Sequence, residues 1–104
     1  MLTKDEFSEN FSIAVRGIAT IKGIKIKDLE ADCCLHNGYL AKIERNHNCI
    51  NLYTAYMIAD YLDIPLDKLI KLAENEVFIM DMCTGKIRLE LIKYLNIKGE
   101  DKNG

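Results

Sequence analysis

The sequence predicts an all-α fold, and three features of the 104-residue chain support this prediction. Apolar residues recur every three or four positions in five successive segments, the spacing that places them on one face of a helix. Residues that begin or end helices separate these segments, among them a capping box at residues 3–6 and a proline at position 65. The composition, 49% hydrophobic and 29% charged, is that of a single globular domain with one core.

The first predicted helix covers residues 4–22. Thr3 and Glu6 have the spacing of a capping box, in which the hydroxyl and the carboxylate accept hydrogen bonds from the first free amide groups. Gly23 is expected to end the helix, because glycine readily takes the left-handed conformation of a helix C-terminus. The apolar stripe of this helix consists of Phe7, Phe11, Ala14, Val15, Ile18 and Ile21.

Two short helices follow, predicted at residues 26–33 and 37–45, with a sharp turn between them. His36 or Asn37 is expected to cap the second helix. The pair can bury one apolar set if the helices cross steeply: Ile26, Leu29, Cys33, Leu35, Leu40 and Ile43. This leaves His36, Asn37, Tyr39 and Lys42 facing outward, the arrangement of a helix-turn-helix unit that probes a DNA major groove.

Two more helices complete the predicted bundle. Residues 46–50 are rich in turn formers and predict a loop, after which Asn51 caps a fourth helix. Ile64 and Pro65 end that helix, and the proline opens a fifth one over residues 66–73.

The C-terminal extension is ambiguous in sequence. Residues 77–95 are predicted either to be helical or to form a β-hairpin that turns at residues 84 and 85, since periodicity cannot decide so short a run. The predicted organisation is a helix-turn-helix domain at 1–73, an extension at 74–97 and a flexible tail at 98–104. The extension serves either as a dimerisation element or folds back onto the first and fifth helices.

Composition argues against most other functions. No nucleophile motif, P-loop or CxxC pair is present, so we expect neither an enzyme nor a bound cofactor or metal. The four cysteines are expected to be small apolar residues in a reducing compartment, with a regulatory thiol or a zinc site as the alternative. No run of about 18 apolar residues and no signal peptide is present, which predicts a cytoplasmic protein without a membrane partner.

The net charge of −2 is unusual for a nucleic-acid-binding protein, because contacts to phosphate favour basic surfaces. For DNA binding, the local distribution of charge matters more than the net charge of the chain. Lys22, Lys25 and Lys27 flank the start of the first helix of the pair, and Lys42 and Arg45 lie on the second. Alternatively, the three lysines form only a solvent-exposed face and have no role in binding.

Three blocks of residues resemble the lambda-repressor-like family of helix-turn-helix proteins, also called the Cro/phage-repressor or XRE family. They are Gly23-Ile24 with Leu29, residues 38–45 (GYLAKIER) and residues 59–69 (ADYLDIPLDKL). The resemblance covers residues 7–72 and implies a five-helix lambda-repressor-like DNA-binding domain. The chain departs from the family pattern at Ile26, Glu30, Cys34 and Asn46, where a glutamine, a small residue, a glycine and another glycine are usual.

The resemblance implies a set of DNA-binding residues: Lys25, His36, Asn37, Gly38, Tyr39, Lys42, Arg45 and Asn46. Asn37 would pair with an adenine edge, Lys42 would reach guanine acceptors, and Gly38 would allow close approach beside Tyr39. The other four residues would contact phosphate and set the register. The plainer alternatives are that Asn37 is only a cap and that Tyr39 packs on the preceding helix, while Glu44 is expected to pair with Arg16.

The resemblance also implies a transcriptional regulator, most simply a repressor, that binds double-stranded DNA as a homodimer on a palindromic site. A protein-interaction or antitoxin-like module that kept the fold and has weak or no DNA binding is the alternative. The acidic balance, Ile26 and Glu30 favour that alternative.

Overall fold

The computed structural model describes residues 1–46 and 50–85 of the chain. These residues form six helices, which are α1 (Lys4–Lys22), α2 (Ile26–Asp32), α3 (Tyr39–Asn46), α4 (Leu52–Tyr61), α5 (Leu66–Glu74) and α6 (Glu76–Cys83). No strand occurs in this described part, so the predicted all-α class is confirmed. Residues 47–49 of the predicted loop and the predicted tail at 98–104 lie outside the described residues.

Helix α1 is the centre of the bundle, and its ends are those that the sequence predicts. The Thr3 hydroxyl accepts from the Glu6 amide at 3.1 Å, and the Glu6 carboxylate accepts from the Thr3 amide at 2.9 Å. Gly23, with a φ of 72°, ends the helix. Because α1 packs against α3, α5 and α6, its apolar stripe supplies the middle of the core.

The core joins all six helices of the described chain through one cluster of apolar side chains. Its largest fully buried members are Phe11, Val15, Ile18, Leu29, Leu40, Ile58, Leu62, Leu69 and Phe78. Burying each such side chain stabilises the fold by about 1.5–3 kcal/mol, which makes the core the main source of stability. The apolar set predicted for α2 and α3 is buried or half-buried, as expected.

Helices α4 and α5 begin and end through local contacts. The Asn51 side chain accepts from the Thr54 amide at 2.8 Å and caps α4, as predicted. Ile64 is buried after the end of α4, and Pro65 stands immediately before α5. The sequence therefore predicted where both helices start, whereas α4 ends at Tyr61, before the predicted stop at Ile64 and Pro65.

The start of the C-terminal extension is helical and does not form a β-hairpin in the part that the structure describes. The Asn75 side chain accepts from the Phe78 amide at 3.0 Å and starts a helix, so residues 76–83 do not form the first strand of a hairpin. Phe78 and Ile79 are buried, and α6 packs against α1 and α5. Residues 86–95, the second half of the predicted segment, lie outside the described residues.

Two predicted boundaries in the helix-turn-helix unit are wrong. Helix α2 ends at Asp32 rather than residue 33, and α3 begins at Tyr39 rather than at residue 37. Neither His36 nor Asn37 is the cap, because Gly38 stands directly before α3 and its carbonyl accepts the first helical hydrogen bond, from the Lys42 amide at 2.9 Å. The amide groups at this end of α3 are bound instead by a side chain from α2.

Candidate nucleic-acid interface

The turn between α2 and α3 closes with two backbone hydrogen bonds around Cys34. The Cys34 amide donates to Ala31 at 3.1 Å, and the Leu35 amide donates to Glu30 at 2.8 Å, the pattern of a Schellman motif. Cys34 has a φ of 60°, a conformation that glycine adopts without strain and cysteine does not. Leu35 packs against the core, so the turn is fixed on both sides of Cys34.

The N-terminus of α3 is held by Glu30, which lies one helix earlier in the chain. One carboxylate oxygen accepts from the Gly38 amide at 3.0 Å and the other accepts from the Leu40 amide at 3.1 Å. Glu30 is only 3% exposed, and a buried carboxylate needs such hydrogen bonds to offset the loss of water. Gly38 has a φ of 86°, a conformation that strongly favours glycine at this position.

The predicted base-reading residues lie at the start of α3, and their exposure differs. Asn37 and Lys42 are exposed, whereas Gly38 and Tyr39 are half-buried. Burial raises the pKa of the Tyr39 phenol, and the nearby Thr54 side chain on α4 lowers it. Tyr39 packs against the core and therefore presents less of its surface to a ligand than Asn37 or Lys42.

The predicted phosphate-binding residues lie at both ends of the unit and in the turn between its helices. His36 is exposed and its ring contacts Tyr39 edge-to-face, with the ring centroids 5.4 Å apart. Arg45 is exposed in the last turn of α3, and Asn46 is the last residue of that helix. Lys25 is exposed directly before α2, at the other end of the unit from Arg45. The structure thus brings seven of the eight predicted residues onto α3 and its leading turn.

A polar cluster fastens the C-terminal half of α3 to α1. The Ser12 hydroxyl, fully buried, lies 3.1 Å from both the Leu40 carbonyl and the Glu44 carboxylate. Arg16 pairs with Glu44 at 3.3 Å, which confirms the predicted pairing. Because Glu44 is used in this way, it belongs to the fold and leaves Lys42 and Arg45 as the charged side chains exposed on α3.

The cysteines and the acidic residues present no further chemical centre in the described ranges. Burial raises the pKa of the Cys33 thiol, and nearby carboxylates of Asp32 and Asp60 raise it further, so this thiol stays protonated. Residues 1–46 and 50–85 contain no group of three or more His, Cys, Asp or Glu side chains that could hold a metal ion. No helix among the same residues is long and apolar enough to cross a membrane.

The Helix-turn-helix family model matches residues 20–69, from the last turn of α1 into α5. This part of the chain belongs to the Cro/C1-type helix-turn-helix family, also called XRE, which confirms the resemblance seen in the sequence. The class of protein that the domain defines is a DNA-binding helix-turn-helix regulator. Comparison of the chain with curated proteins gives no match.

Sequence reasoning missed Glu30 and Thr54. Glu30 stood out only as a departure from the family pattern, and a buried acidic residue eight positions before Gly38 is not a recognised cap motif. The interaction of Thr54 could not be predicted from the sequence, because the residue that it affects, Tyr39, lies on another helix. One observable clue existed for Glu30: it occupies an otherwise apolar face of α2, next to Leu29 and Cys33, where a carboxylate must find donors.

Proposed function

We propose that this chain is a sequence-specific transcriptional repressor that inserts α3 into the major groove of DNA and occludes a promoter. The observation that carries the proposal is the two-sided character of α3. Leu40 and Ile43 are buried in the bundle, whereas Lys42 and Arg45 are exposed on the same helix. A helix of about 10–12 Å diameter fits the major groove, and these exposed side chains are of the types that bind bases and phosphates there. A DNA target implies a cytoplasmic location in a bacterial cell.

Within this proposal the exposed residues divide into two groups. Asn37 and Lys42 read base edges, because an amide matches adenine and an ammonium group matches the acceptors of guanine. Lys25, His36 and Arg45 bind phosphate and set the register of α3, and Asn46 extends that set at the end of the helix. Gly38 allows the backbone to approach DNA closely, and Tyr39 contributes only its exposed edge.

A dimer follows from the small reach of one α3. A single recognition helix contacts only a few base pairs, so family members bind two half-sites about 34–36 Å apart. Helix α6 folds back onto α1 and α5, so within the extension at 74–97 the proposed dimerisation surface, beside the domain at 1–73, is the outer side of α6. Val77 and Met80, on one side of α6, are 61% and 63% exposed, which gives the element an apolar surface to pair.

The test is selection of binding sites from a randomised DNA pool, followed by electrophoretic shift with wild-type chain and Lys42→Ala. The proposal predicts an enriched, palindromic sequence. It also predicts that Lys42→Ala loses about 1–3 kcal/mol on that sequence and less on random DNA. An equal loss on both would make Lys42 a phosphate contact. No shift at low salt with a dimeric sample would contradict the repressor proposal.

A second candidate function has its own observation. Leu52, Tyr53 and Tyr56 on α4 are 74%, 67% and 54% exposed, a cluster of large apolar side chains that a protein partner could cover. A protein-interaction or antitoxin-like module would use this surface and bind DNA weakly or not at all. Tyr53→Ser with Tyr56→Ser separates the two functions, because the pair should leave DNA selection intact and abolish binding of a protein partner.

A further inference from the structure

Glu30 links the two helices of the unit, because its side chain on the first helix accepts hydrogen bonds from backbone amides at the start of the second. Its carboxylate is buried in α2, while Asp28 and Asp32 on the same helix are exposed. Each of its oxygens accepts from one amide at the start of the next helix, that of Gly38 at 3.0 Å and that of Leu40 at 3.1 Å. Such charge-assisted bonds have a strict geometry, so they fix both the distance and the direction between α2 and the first turn of α3.

The same two bonds change what the N-terminus of α3 can offer to DNA. The free amide groups at a helix N-terminus normally attract an anion, and phosphate is the anion that DNA supplies. Here a carboxylate of the chain itself takes the amides of Gly38 and Leu40. A DNA phosphate placed at that point would meet a like charge and no open donor from these two residues.

We propose that Glu30 is a positioning residue for DNA recognition, which sets the direction of α3 and keeps the amides of Gly38 and Leu40 from DNA phosphate. This proposal rests on the proposed DNA-binding function. Asn37 precedes and Lys42 follows the two amides that Glu30 holds, so a rotation of the first turn moves both side chains relative to the bases. Specificity, more than general affinity, therefore depends on Glu30.

The chosen variant is Glu30→Gln, which keeps the size of the side chain and replaces one acceptor oxygen by an NH₂ donor. That donor faces a backbone amide, so one of the two bonds is lost. The matched control is Asp28→Asn, the same change in charge at an exposed position of α2. If Glu30→Gln does not fold, Glu30→Asp replaces it in the test. This variant keeps the charge, but its side chain is one methylene too short to bind both amides.

The measurement is the ratio of affinity for a duplex enriched by the wild-type chain to affinity for a random-sequence duplex. Partial unfolding lowers both affinities by the same factor, so a merely structural role leaves the ratio unchanged. We expect the affinity ratio to fall about fivefold or more in Glu30→Gln, because one base contact is lost when its side chain is misplaced. In Asp28→Asn the ratio should stay at the wild-type value. Amide hydrogen exchange should quicken at Gly38 and Leu40 in the first variant only.

The outcomes separate the two proposals. If the wild-type chain enriches no sequence, the proposed function fails and the role of Glu30 in recognition fails with it. If the wild-type chain enriches a sequence and Glu30→Gln keeps the wild-type ratio, the proposed function stands and the positioning role is overturned. A ratio that falls as much in Asp28→Asn as in Glu30→Gln also overturns it, because charge alone would then explain the effect.

Discussion

Three residues with positive φ end helices in the same way, and their side chains differ in how well they tolerate it. Gly23, Cys34 and Asp63 have φ values of 72°, 60° and 60°, and each is followed by an apolar residue, respectively Ile24, Leu35 and Ile64. The left-handed conformation costs an ordinary residue about 1–2 kcal/mol, less for aspartate and nothing for glycine. Cys34 therefore stores strain in the middle of the helix-turn-helix unit.

Cys34→Gly is expected to raise the free energy of unfolding by about 1 kcal/mol. The relief of strain is the larger effect, and the added freedom of glycine in the unfolded chain offsets part of it. Cys34 is exposed, so its removal leaves no cavity. Urea denaturation with an unchanged m-value measures the effect, and Asp63→Gly is the control, with a smaller gain. A lower midpoint for Cys34→Gly would show that the thiol makes a contact worth more than the strain.

At the scale of helices, the close packing of α6 against α1 depends on Gly17, which has no side chain. A Cβ added to Gly17 would collide with the side chain of Met82, so glycine at this position lets α6 lie close to α1. Glycine inside a helix is otherwise unfavourable by about 1 kcal/mol relative to alanine. The close approach of the two helices thus outweighs the intrinsic preference of α1.

A double-mutant cycle tests this packing. Gly17→Ala alone should gain helix propensity and lose about 1–3 kcal/mol to overpacking against Met82. In a Met82→Ala background the same change meets no obstacle and should stabilise the chain by about 1 kcal/mol. Thermal or urea unfolding of the four proteins gives the coupling energy. A zero coupling energy would mean that α6 does not rest on Gly17 in solution.

The helices also show what a sequence can and cannot predict. The starts of α1 and α4 were predictable because Thr3, Glu6 and Asn51 act on amides within three residues of themselves. The start of α3 was not, because its amides are bound by Glu30 from another helix. The apolar run that became α6 was ambiguous by periodicity, although Asn75 was a local cap that could have favoured a helix.

The candidate site was predictable to a similar extent. Exposure of Lys42 and Arg45 follows from helical spacing once Leu40 and Ile43 are assigned to the core. The half-buried state of Tyr39 does not follow from spacing. It depends on the packing of Tyr39 against the core, and such contacts between distant segments leave no pattern in one sequence.

For the molecule as a whole, the distribution of charge matters more than the net value of −2. Lys25, Lys42 and Arg45 are exposed on the helix-turn-helix unit. Two of its acidic residues are engaged in the fold, Glu30 with backbone amides and Glu44 with Ser12 and Arg16. An acidic chain can therefore still present cations to phosphate, and salt dependence distinguishes such contacts from a general field.

Lys25→Ala is expected to make the slope of log K against log salt concentration shallower by about 1 for each bound chain, or about 2 for a dimer. The physical reason is that each phosphate contact releases about one counterion. Lys71→Ala, the same loss of charge at an exposed position of α5, is the control and should leave the slope unchanged. Fluorescence anisotropy on the selected duplex, at salt concentrations from about 50 to 200 mM, measures both slopes. Equal changes for the two variants would mean that DNA responds to the total charge of the chain, and Lys25 would then lose its assigned contact.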